Sequence, residues 1–93
     1  MKNWLQQTLD LFSKSFNNIE EINYKNIIFI FYEHLSNRNL AVLIANVFDK
    51  EELDVYFEID NIINKKLYDE EQVKALLKEL NKNGFQEWID LEE

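Results

Sequence analysis

An α+β fold is predicted for this chain: an N-terminal helix, a three-stranded antiparallel β-meander, and a C-terminal helix followed by a short terminal segment. Three observations carry the expectation. Residues Leu53-Asp54-Val55-Tyr56-Phe57-Glu58-Ile59-Asp60 alternate apolar and polar over eight positions, the pattern of a strand with one wet face. Two apolar runs rich in β-branched and aromatic residues precede it, Ile27 to Tyr32 and Leu40 to Phe48. Helical spacing is clearest at the two ends of the chain.

At the N-terminal end Trp4, Leu5, Thr8, Leu9, Phe12 and Phe16 recur at intervals of three and four, with Asn3 placed to cap. A helix over residues 4 to 16 follows. The asparagine-rich stretch Asn17 to Asn23 suits a connection. The segments 27–35 and 40–48 fit helical spacing as well as strands; the alternation at Leu53 to Asp60 favours strands, because a strand needs partners. Ser36-Asn37-Arg38-Asn39 and Asp49-Lys50-Glu51-Glu52 would be the hairpin loops, and 40–48, apolar on both faces, the central strand. In the last third, Asp69 with Gln72 resembles a capping box, and Val73, Leu76, Leu77 and Leu80 form one stripe. Gly84 should stop this helix in a left-handed conformation, with Phe85 following to pack on Leu80. Trp88, Ile89 and Leu91 then offer either a closing helix or an edge strand.

The 93 residues are read as one domain, 1–93, without proline, and with a lone glycine that leaves no room for a flexible linker. Cysteine is absent, which excludes disulfides and thiolate metal sites and fits a reducing compartment, so a cytoplasmic location is expected. No secretory leader is visible, and the longest uninterrupted apolar runs, six residues, fall far short of the roughly 20 a spanning helix needs.

Catalytic and cofactor chemistry finds little footing. His34 is the lone histidine and has no nucleophile-elbow serine to serve. A single glycine cannot build a phosphate-binding loop, and the acidic run Asp49 to Asp54 lacks the glycine and closing glutamate of a calcium loop. The expectation is a protein that is not an enzyme and carries no cofactor or metal. Lys74, Lys78 and Lys82 run along one helix face, where acids such as Glu70 can balance them.

Charge is the most informative feature. Residues 1–48 hold four basic and four acidic side chains, whereas residues 49–93 hold six lysines against fourteen acids, so the whole net charge of −8 lies in the second half. Such a field repels nucleic acid and anionic lipid and attracts basic surfaces. If Leu53, Val55, Phe57 and Ile59 face inward on a strand, then Asp54, Tyr56, Glu58 and Asp60 face outward. Asp49, Glu51 and Glu52 extend them at the hairpin. These seven residues are the candidate partner-binding set: spaced carboxylates that replace phosphates before a basic cleft, with Tyr56 at the centre. The competing reading makes them the charged guard of an edge strand.

In size, charge and order of elements the chain resembles the small acidic inhibitors that phages make against nucleic-acid-cutting defences, and the immunity proteins that neutralise toxic nucleases. That resemblance implies a binder that blocks or neutralises a protein with a basic, nucleic-acid-binding cleft. A chaperone or adaptor holding a peptide, or dimerising, through Trp88, Ile89 and Leu91 is the alternative.

Overall fold

None of the segments assigned above to a strand is extended: 40–48 and 53–60 are helical, and 27–35 is helical to Phe31 and a turn beyond it. The structure, a computed structural model, describes residues 3–92; Met1, Lys2 and Glu93, part of the 1–93 domain reading, lie outside the described residues. The helices are α1 (Trp4–Ser15), α2 (Tyr24–Phe31), α3 (Asn37–Phe48), α4 (Glu52–Asn64), α5 (Glu70–Lys82) and α6 (Phe85–Glu92), with a 3-10 turn at Ile19–Glu21. There is no strand among the described residues, so the α+β class and its three-stranded meander are replaced by an all-helical fold. The likeness in element order to phage inhibitors and immunity proteins goes with them; only size and charge remain of it.

The supposed hairpin loops are helix starts and stops. Ser36 caps α3, its hydroxyl accepting from the Asn39 amide at 3.1 Å, so Asn37 to Asn39 are the first turn rather than a loop. Asn23 caps α2 by accepting from the Lys25 amide at 3.0 Å. Asp49 ends α3 in the left-handed conformation at φ 54° and ψ 54°, and the Lys50 amide turns back to the Ala45 carbonyl. Glu51 then opens α4.

The run at Ile27 is apolar because α2 is the buried centre. Asn26, Ile27, Ile28, Ile30 and Phe31 are all buried, and α2 packs against α3, α4 and α5. Helix α3 buries Leu40, Ala41, Leu43 and Ile44 and pairs most extensively with α4. At the other end of α2 the Phe31 ring meets Phe12, Phe85 and Trp88 edge-on at 5.3, 5.4 and 5.0 Å. Helix α1 closes this end against α5 and α6. The buried Trp88 Nε1 donates to Thr8 Oγ1 at 2.7 Å, and that hydroxyl donates to the Trp4 carbonyl at 2.7 Å. Both buried polar groups are thereby satisfied.

Helix α1 starts where expected, with the Asn3 side chain accepting from the Gln6 amide at 2.8 Å. The cap of α5 is more elaborate than a capping box. Asp69 accepts from the amides of Glu71 and Gln72, but the Gln72 side chain does not return to Asp69. The buried Asn26 of α2 stands between them: its Oδ1 accepts from the Asp69 amide and its Nδ2 donates to Gln72 Oε1, each at 2.8 Å. Gly84 has φ 105°, the expected left-handed stop, and its carbonyl accepts from the Trp88 amide, so one residue ends α5 and opens α6. Residues 85–92 are thus the closing helix rather than an edge strand. No helix among the described residues is long and apolar enough to cross a membrane.

Candidate functional site

Helix α4 carries five of the seven candidate residues, and helical geometry redistributes them. Asp49 sits in the α3–α4 turn, Glu51 is the N-cap residue, and Glu52, Asp54, Tyr56, Glu58 and Asp60 lie on the helix itself. At about 100° per residue, Tyr56 and Glu58 point about 160° apart, so the row of carboxylates with a central ring does not form. Glu58 turns toward α2, where the Tyr24 hydroxyl donates to its Oε2 at 2.7 Å. Asp60 turns toward α3, accepting from Asn37 Nδ2 at 3.1 Å. Burial, then the hydrogen bond to Glu58 and the charge of that carboxylate, push the Tyr24 hydroxyl up to about 12, which keeps the donor protonated. Lys50 stands over the same ring at 4.3 Å.

The inward set is also redrawn. Val55, Ile59 and Ile62, at i, i+4 and i+7, are the buried stripe of α4. Leu53 and Phe57, expected inward on a strand, face outward. Leu53 is 66% exposed, Phe57 73% and Tyr56 44%, and together they form a contiguous i, i+3, i+4 apolar face. Acids flank it: Glu52 and Asp60 on the α3 side, Asp54 on the α2 side, Asp49 and Glu51 at the turn. All five are exposed. Glu52 and Asp54 also occupy the first turn of α4, where the helix dipole favours negative charge.

Beside this face runs a groove of about 340 Å³, with Arg38 and Ala41 of α3 on one wall and Glu52, Leu53, Tyr56 and Phe57 of α4 on the other. Leu53, Phe57, Arg38 and Ala41 were not among the sequence candidates. The signal for them was Ile62: strand alternation puts it on the wet side with Asp60, whereas helical spacing continues Val55 and Ile59 into the core and turns Leu53 and Phe57 out.

The C-terminal trio does not share a surface. Trp88 is buried, Ile89 is half-buried and Leu91 is exposed. His34 lies in the turn after α2, half-buried and edge-on to Phe85 and Trp88. Among the described residues no group of three or more His, Asp or Glu is placed to hold a metal ion. Two of the three lysines of α5 pair weakly with acids one turn earlier, Lys74 with Glu71 at 3.9 Å and Lys82 with Glu79 at 3.7 Å, all exposed. No family model, no curated protein and no solved structure matches the chain.

Proposed function

We propose that this is a small acidic binding protein that docks through α4 onto the basic surface of a partner protein and blocks it. The observation that carries the reading is the exposed Leu53, Tyr56 and Phe57 face with acids on both flanks. An apolar centre supplies the buried area of an interface and a charged rim supplies specificity and speed of encounter. The sign of the rim selects the occupant: a second copy would bring five exposed acids against five more, whereas a lysine- and arginine-rimmed surface is complementary. The contact would combine apolar burial with charge pairing, in place of the pure phosphate imitation that a strand of carboxylates implied.

The test begins with a partner recovered from host cells by the full chain and then uses purified components. Leu53→Ser with Phe57→Ser should abolish binding, and Glu51→Gln, Glu52→Gln with Asp54→Asn should weaken it and flatten its salt dependence. A control triple on α5, Glu70→Gln, Glu71→Gln and Glu79→Gln, removes the same charge elsewhere and should leave affinity within about twofold. Intact binding by the Leu53, Phe57 variant, with native helicity by circular dichroism, would overturn the reading.

A further inference from the structure

Arg38 is the odd charge in this surface. It lies in the first turn of α3, where the helix dipole disfavours a cation, so it is not there to support its own helix. It is exposed, and neither it nor Glu52 across the groove forms an ion pair among the described residues. Between the two free charges the buried Ala41 contributes only a methyl group, which leaves the groove open to about 340 Å³, ample for one large apolar side chain. An apolar slot with a free guanidinium on one wall and a free carboxylate on the other is not matched by a uniformly basic surface. It is matched by a mixed one.

We propose that the α3–α4 groove receives one apolar side chain of the partner, and that Arg38 pairs with a carboxylate beside that anchor. The recognised chemistry is then a predominantly basic segment carrying a single acid next to its apolar residue. The proposal rests on the reading of α4 as the docking face, and Arg38 is its specificity-determining residue. Guanidinium suits this role because its planar fork pairs bidentately with a carboxylate.

Two blocked, fluorophore-labelled synthetic peptides test it, each lysine-rich with a Leu-Leu anchor, one with Glu after the anchor and the other with Gln there. Anisotropy titrations of the full chain should show the Glu peptide binding about fivefold more tightly, the scale of one solvent-accessible ion pair. General attraction to an acidic protein predicts the reverse order, since the Glu peptide carries less positive charge. Arg38→Gln should remove the preference and Lys74→Gln should keep it. Equal or inverted affinities for the wild type, or a preference that survives Arg38→Gln, overturn the role of Arg38. If that happens while Phe57→Ser still releases both peptides, the α4 docking face stands without it. If neither peptide binds, or Phe57→Ser changes nothing, the two fall together.

Discussion

Helices α4 and α5 are both thirteen residues long and each presents an apolar stripe to the core, yet they spend their remaining surface differently. Helix α5 buries Val73 and Leu80, keeps Leu76 and Leu77 half-covered, and gives water only Lys, Glu, Gln, Asn and one Ala. Helix α4 buries Val55, Ile59 and Ile62, which is anchorage enough, and then exposes Leu53, Tyr56 and Phe57 as well. Folding does not require that second apolar face. Side chains that the fold can do without, and that raise the risk of self-association, point to a use outside the fold.

The largest expected effect lies on α4 itself. Ile59→Ala should cost about 2–5 kcal/mol in a denaturant melt, because it leaves a cavity in a fully buried site. Phe57→Ala deletes a larger side chain and should change stability by no more than about 0.5 kcal/mol, because little of it is covered. Comparable losses at the two positions would mean that Phe57 is structural and that α4 has no spare face.

A middle-sized effect sharpens the other side. Helix α5 is tied to the centre by Asn26, while the N-cap residue of α4, Glu51, makes no side-chain cap bond. Asn26→Ala should therefore cost about 1–3 kcal/mol by stranding the Asp69 amide and the Gln72 side chain. Asn37→Ala, which removes the exposed bond to Asp60, should cost about 0.5 kcal/mol or less. Loss of protection at the start of α5 in hydrogen exchange would locate the first effect; equal losses for both variants would show that Asn26 is not the tie.

These contrasts also explain which parts were legible. Helices α1 and α5 were readable because their caps, Asn3 and Asp69, and their stripes agree, and Gly84 marks its own stop. Helix α2 was not, since a central helix surrounded by other helices is apolar on most sides and loses its period. In α4 the positions common to both periods, Val55 and Ile59, are the buried ones, so eight residues could not separate strand from helix; Ile62 could. The capping serine of α3, Ser36, was visible but was absorbed into a hairpin loop. The acids of the candidate face were legible because charge needs no fold to be counted, while the residues beside them, Leu53, Phe57 and Arg38, depended on the period.

The smallest effects lie at the helix ends, and there the two helices should respond with opposite sign. Helix α5 is followed by Gly84 at φ 105°, outside the range that L residues adopt with ease, and an added Cβ would lie 3.0 Å from Glu87 Oε2. Gly84→Ala should destabilise by about 1 kcal/mol. Helix α4 ends instead on Lys66, a side-chain-bearing residue at φ 54°, with the Leu67 amide turning back to the Ile62 carbonyl at 3.0 Å. Lysine has no local hydrogen bond that favours this conformation, and a left-handed residue with a Cβ carries roughly 1–2 kcal/mol of strain. Lys66→Gly relieves that strain while adding unfolded-chain freedom worth about 0.4–1 kcal/mol, so a net gain of about 0.5–1 kcal/mol is expected. Since Lys66 lies beyond the C-terminus of α4, away from the face built on residues 52–57, partner binding should not change. A loss of stability in Lys66→Gly would show that its side chain is held by something, and that the end of α4 is no less specified than the end of α5.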